Sequence, residues 1–144
     1  MLSKKVETAL NDQVEKESFS SAIYLAMASW AEVQGMAGIA EWLYKQAEEE
    51  RKHMLKFMRY INERDGHAIV SASRQPEKEF ASVKQMFEEV LKHEQFISAS
   101  INDIVALCIE EKDFTTQHWL QWFVKEQIEE ESSATRILDK LNLI

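Results

Sequence analysis

Four stretches of this chain repeat an apolar residue at every seventh position, and each repeat is broken near its middle by a carboxylate. Leu10 is followed by Glu17 and then Tyr24, and Leu43 by Glu50 and then Phe57. Phe87 leads to Glu94, Ile101 and Cys108, while Phe123 leads to Glu130 and Ile137. His53 lies one turn after Glu50, and Leu120, Gln127, Ala134 and Leu141 form a seam beside the last stripe. A seven-residue apolar repeat marks a helix face that packs against other helices. A solvated acid has no reason to keep register with such a face, so these acids belong to the interior.

The punctuation residues agree with an all-α protein. Only three Gly and one Pro occur, and Gly35, Gly38, Gly66 and Pro76 all fall between the proposed helices. The first helix is predicted from Ser3 to Gln34, with Val6, Leu10, Val14, Glu17, Ser21, Tyr24, Ala28 and Ala31 along one stripe. Gly35-Met36-Ala37-Gly38 breaks it, and the second helix runs from Ile39 to Asp65 and stops at Gly66. A polar segment from His67 to Ala81 contains Pro76 and has no helical period. Ser82 and Gln85 have capping-box spacing and open a third helix that reaches Glu110. After a Glu-Lys-Asp connection the fourth helix runs from Phe114 to Leu141.

Short connections make the first and last helix pairs antiparallel hairpins. The connection between the pairs is different: about 15 residues at ~3.3 Å each reach roughly 50 Å. A helix of about 28 residues is only roughly 42 Å long at ~1.5 Å per residue. The expected architecture is therefore a four-helix bundle, two antiparallel hairpins joined by one long crossover. At 144 residues, 45% of them hydrophobic, the chain suits a single domain spanning residues 1–144 and is too apolar for general disorder.

A formal charge of −8 disfavours nucleic acid and anionic membrane as partners and draws cations towards the protein. A plain soluble acidic protein would carry the same charge. Cys108 is the only cysteine, which excludes an intrachain disulfide and a thiolate zinc or iron–sulfur site built by one chain. Its place on an apolar stripe assigns it to the core. No apolar run approaches ~20 residues and the N-terminus has no signal-peptide h-region, so the cytoplasm is the expected compartment.

The helix midpoints fall near residues 19, 52, 96 and 127, and Glu17, Glu50, Glu94 and the Gln127/Glu130 pair each lie within about a turn of one of them. Midpoints share a height whichever way a helix runs. The acids therefore meet at one level, with Glu50 and His53, and likewise Gln127 and Glu130, on shared faces at i, i+3. Burying carboxylates without partners costs several kcal/mol each. The stripes carry no Lys or Arg, which leaves protonated acids or a cation from outside. Four carboxylates balance two divalent ions, and oxygen ligands with one imidazole suit iron or manganese.

Glu17, Glu50-Arg51-Lys52-His53, Glu94 and Gln127-Ile128-Glu129-Glu130 together resemble the ferroxidase centre of the bacterial non-haem ferritins. The resemblance covers essentially the whole chain in order and spacing. It implies that Glu17, Glu50 and His53 hold a first iron, that Glu50 bridges, and that Glu94 with Glu130 complete the second. By the same resemblance Gln127 lines the site and steadies the oxidant or a water, and Tyr24 stands beside it to hydrogen-bond a ligand or supply an electron. Glu49, Glu126 and Glu129, with Glu130, match a third iron site facing the storage cavity. Trp122 is similar to a tryptophan near the centre of some relatives. His93 and His118 are read as surface or interface residues.

Bacterioferritins carry a second E-x-x-H on the fourth helix and a haem-ligating Met after the second-helix Glu. Gln127, Glu130 and Arg51 stand here instead, so no haem is expected. Rubrerythrins add a four-cysteine iron domain, which a single Cys excludes, and miniferritins do not explain Glu94 or Glu130. Two departures from the family pattern matter. The fifth helix that ferritins usually carry is not seen before Ile144, and Gln117 and Leu120 replace the acids of the three-fold channel. The resemblance implies iron storage and detoxification. Fe²⁺ would be oxidised with dioxygen or hydrogen peroxide, and ferric oxyhydroxide laid down inside a homo-oligomeric shell of twenty-four subunits. A diiron oxidase or peroxidase acting on a small substrate, and a metal-free structural bundle, are the alternatives.

Overall fold

The computed structural model describes residues 1–144 as four helices with no strand. They are α1 (Lys4–Val33), α2 (Ala37–Glu63), α3 (Val83–Glu110) and α4 (Phe114–Asn142). Two compact units contain them, Met1–Phe80 with α1 and α2, and Ala81–Ile144 with α3 and α4.

In the first unit, Ser3 caps α1 by accepting a hydrogen bond from the Val6 N–H at 3.2 Å. Val6, Leu10, Val14, Tyr24, Ala28 and Ala31 then line the buried face of α1, as the stripe predicts. Leu43, Ala47, Phe57 and Ile61 are the apolar counterpart on α2. The Ser21 hydroxyl donates to the Ala47 carbonyl at 2.9 Å, and the Leu2 N–H donates to the Arg64 carbonyl at 3.4 Å. Residue numbers thus fall on α2 as they rise on α1, the pattern of an antiparallel hairpin.

The segment after α2 runs along α1 from one end to the other. At its start the His67 N–H donates to Glu7 Oε2 at 3.2 Å, and the Ile69 N–H to Asn11 Oδ1 at 2.8 Å. Further on, the Arg74 guanidinium sits over the Phe19 ring at 4.2 Å, and Phe80 meets Trp30 edge-on with centroids 5.5 Å apart. The contacts advance from Glu7 to Trp30, nearly the whole of α1. Length alone predicted a crossover, and α1 supplies the surface on which it is laid.

In the second unit, Ser82 accepts from the Gln85 N–H at 3.0 Å, the first half of the expected capping box. The three residues between α3 and α4 finish one helix and start the next. The Asp113 N–H donates back to the Cys108 carbonyl at 2.7 Å, while its carboxylate accepts from the Thr116 N–H and hydroxyl at 2.9 and 2.7 Å. Met86, Phe87, Val90, Ile97, Ile101 and Cys108 on α3, with Leu120, Phe123, Ala134 and Leu138 on α4, are buried.

The helix ends differ from a reading based on glycine. α1, α2 and α3 each end in a Schellman turn, in which a residue in the left-handed region lets the next N–H reach back to a carbonyl five residues earlier. The left-handed residues are Gly35 (φ 81°), Asp65 (φ 66°) and Lys112 (φ 59°). Gly38, expected to be part of the break, instead lies in the first turn of α2, whose N–H groups have no intrahelical partner anyway. Gly66 is needed for closeness: a Cβ there would lie 2.8 Å from Ile61 Cγ2 and 3.0 Å from the Ile61 carbonyl oxygen. Gly66→Ala is therefore expected to destabilise the protein by about 1–3 kcal/mol. Lys112→Gly should stabilise it by about 1 kcal/mol, because a side chain in the left-handed region carries a steric cost that glycine lacks. Thermal denaturation of both variants checks the opposite signs.

Candidate metal centre

Regular α-helix with few interruptions lets the heptad register place one polar group per helix at mid-length. On α1 that group is Glu17, on α2 Glu50 with His53, on α3 Glu94, and on α4 Gln127 with Glu130. All six are buried, none more than 7% exposed. Every position read as an interrupted stripe is therefore an interior position.

In the first unit Glu17, Glu50 and His53 converge, each offering an atom within 4.8 Å of the others. His53 Nδ1 lies 3.3 Å from Glu50 Oε2 and 3.8 Å from Glu17 Oε2. The other oxygen of Glu17 is held separately: Gln13 Nε2 donates to Oε1 at 3.0 Å, leaving Oε2 buried without a hydrogen bond. Gln13 was missed by sequence reasoning. It sits four residues before Glu17 on the same face and has no exposed surface. A buried amide one turn from a buried acid was the signal available.

The metal-free cluster carries its own cation. Burial disfavours the imidazolium of His53, but the adjacent Glu17 and Glu50 carboxylates outweigh it and raise its pKa to about 10. Burial likewise pushes Glu17 up, yet contact with His53, Glu50 and Gln13 outweighs burial and holds it below the ordinary value. A search of the stripes for Lys or Arg overlooks this, since an imidazole can act as ligand or as cation.

In the second unit Glu94 and Gln127 are joined directly. Gln127 Nε2 donates to Glu94 Oε2 at 3.1 Å, to the Glu94 carbonyl at 3.2 Å and to Ser98 Oγ at 3.1 Å. Ser98 in turn donates to Glu131 Oε2. Ser98 and Glu131 had no place in the sequence reading, because neither interrupts an apolar repeat. Tyr24 is buried two turns beyond Glu17 on α1. Glu126 is partly buried and Glu129 exposed, while Glu49 is half-exposed and pairs with Lys52 at 3.5 Å. His118 is exposed and His93 packs on the Phe96 ring, consistent with surface roles. Trp122 is 43% exposed and packs edge-on against Phe123.

Donor chemistry, burial and helix register define a class of helical carboxylate–histidine protein. The sequence matches the Ferritin-like domain model over residues 7–144, and the chain belongs to that family. It is 43% identical to a probable bacterial non-heme ferritin-like protein of Haemophilus influenzae, covering 100% of this chain and 87% of that one. A bacterial non-heme ferritin of Campylobacter jejuni is 42% identical, with 100% and 86% covered. Among solved structures, the open-pore ferritin of Archaeoglobus fulgidus matches with a TM-score of 0.98 at 39% identity, covering 99% of this chain and 87% of that one. Chlorobium tepidum ferritin gives 0.97 at 39% identity, with 100% and 88% covered. The expected ferritin four-helix bundle and the resemblance to bacterial non-haem ferritins are both borne out. No helix is long and apolar enough to cross a membrane.

The cluster predicts a pH signature for the metal-free protein. His53, raised on folding, stabilises fully below its ordinary value of 6.5 and loses that contribution as pH rises through about 10. Glu17, lowered on folding, stabilises above its ordinary value of 4.5 and loses that contribution as pH falls through its folded value. The melting temperature should be highest between these ordinary values and fall along the alkaline limb. His53→Gln should flatten that limb, and a limb equally steep in the variant contradicts the assignment.

Proposed function

We propose that this protein stores iron by oxidising Fe²⁺, with iron as substrate, at a dinuclear centre within each chain. The observation that carries the reading is the buried Glu17–Glu50–His53 cluster, whose candidate ligand atoms lie within 4.8 Å of one another. Oxygen-rich donors with one imidazole fit iron, and an interior acid cluster in a ferritin-family bundle fits a substrate cation. In this reading Glu17, Glu50 and His53 bind one Fe²⁺, and Glu50 bridges to a second held by Glu94 and Glu130.

Two Fe²⁺ release two electrons, which dioxygen takes up with two protons to give hydrogen peroxide. Hydrogen peroxide as oxidant takes the same two electrons and two protons to give water. Paired sites deliver both electrons together and limit the escape of partly reduced oxygen. Gln127 steadies Glu94, and Tyr24 stands as a nearby hydrogen-bond donor or electron source. His53 must lose its proton before it binds iron, so Fe²⁺ uptake releases protons.

Fe³⁺ then leaves towards Glu49, Glu126 and Glu129, which with Glu130 match the third iron site of the family. Mineral grows as ferric oxyhydroxide inside a homo-oligomeric shell, twenty-four chains by analogy with the family. The names of the relatives support iron storage, and the acidic balance of −8 suits a cation-collecting interior.

Anaerobic titration with Fe²⁺ followed by oxygen tests the centre. About two Fe²⁺ per chain should oxidise in the fast phase, and Glu130→Ala should slow that phase at least about tenfold. Absence of Fe²⁺ binding by the wild-type chain would refute the reading. Size-exclusion chromatography of the same sample should show an assembly far larger than a dimer.

A further inference from the structure

We infer that Ser98 and Glu131 are positioning residues that lock the Gln127 amide and thereby hold the Glu94 carboxylate in one orientation for a metal ion. The inference rests on the proposed role of Glu94 as an iron ligand, and it adds two residues that no interrupted stripe contains.

The direction of the hydrogen bonds carries it. A carboxylate can only accept, so the contact between Ser98 Oγ and Glu131 Oε2 commits the Ser98 proton to Glu131. Ser98 must then accept from Gln127, and Nε2 is the atom that faces it, at 3.1 Å. Nε2 has two hydrogens for three acceptors. One goes to Ser98, and the other is shared between the carbonyl and Oε2 of Glu94, at 3.2 and 3.1 Å. With both hydrogens engaged, the planar amide can neither flip nor swing. Glu94 is thereby held through both its carbonyl and Oε2.

Without Glu131 the Ser98 hydroxyl could turn its own proton towards Gln127, and two donors would face each other. Without Ser98 the amide would keep only its hold on Glu94 and could rotate with it. Glu94 alone cannot supply this restraint, because it is the group being positioned. The three side chains span α3 and α4, with Gln127 buried and Ser98 and Glu131 partly exposed. The order of action is Glu131 on Ser98, Ser98 on Gln127, and Gln127 on Glu94.

The test is anaerobic titration of the assembled protein with Co²⁺, read from its visible absorption, in wild type, Ser98→Ala, Glu131→Ala, the double variant and Ser98→Thr. Each single alanine variant should weaken one of the two Co²⁺ sites about tenfold, the size typical of losing a group that orients a ligand. The double variant should be no weaker than Ser98→Ala, because Glu131 acts only through Ser98. Ser98→Thr, which keeps the hydroxyl, should bind like wild type.

Wild-type affinity in both single variants overturns the inference and leaves the dinuclear centre standing. Multiplying effects in the double variant also overturn it, since they mark two independent contributions. If Ser98→Ala does not fold, Glu131→Ala against Ser98→Thr carries the same comparison. Absence of Co²⁺ binding by wild type removes the proposed centre and this inference together.

Discussion

The interaction on which the structure depends is the contact of buried carboxylates with a positive charge inside a helical core. Glu17 and Glu50 are essentially without exposed surface, and an uncompensated charge so placed would cost several kcal/mol. In the metal-free chain His53 supplies the compensation as an imidazolium held between them. In the proposed iron-bound chain the metal takes over that role and the imidazole becomes a ligand. One residue therefore serves two states, and the core tolerates its acids in both. The surrounding apolar residues keep the helices in register: Leu10, Val14 and Tyr24 on α1, Leu43, Ala47 and Phe57 on α2.

Much of this was legible in the sequence because a heptad repeat fixes both the helix and the direction of each side chain. Glu17, Glu50, Glu94 and Glu130 stood out by occupying positions where the repeat demands apolar residues, and all four are buried. The supporting amides and hydroxyls were less legible. Gln13 lies on the buried face of α1, but a Gln one turn from an acid reads equally well as part of a solvated face. Ser98 and Glu131 lie off the stripes, and only the packing of α3 against α4 brings Ser98 between Gln127 and Glu131. The sequence likewise offered no means of telling that His53 would be the internal cation, because the same spacing serves a ligand.

Helix ends show a similar division. Gly35, part of the break read after the first helix, takes a left-handed position, while Asp65 and Lys112 take equivalent positions without being glycine. Hydrogen bonds from the following N–H groups to the Ile61 and Cys108 carbonyls offset that local cost. Gly66 is retained for the space it leaves beside Ile61, a reason visible only when the turn is built. Such turns matter for function because they set where each helix stops, and so which residue lies at its middle.

Anomalous X-ray diffraction at the iron edge from anaerobically loaded crystals tests the central claim most directly. Two iron peaks are expected within each chain, one beside Glu17, Glu50 and His53, the other beside Glu94 and Glu130, with Glu50 touching both. Iron confined to the outer carboxylates Glu49 and Glu129, with His53 still between its two acids, would contradict the account.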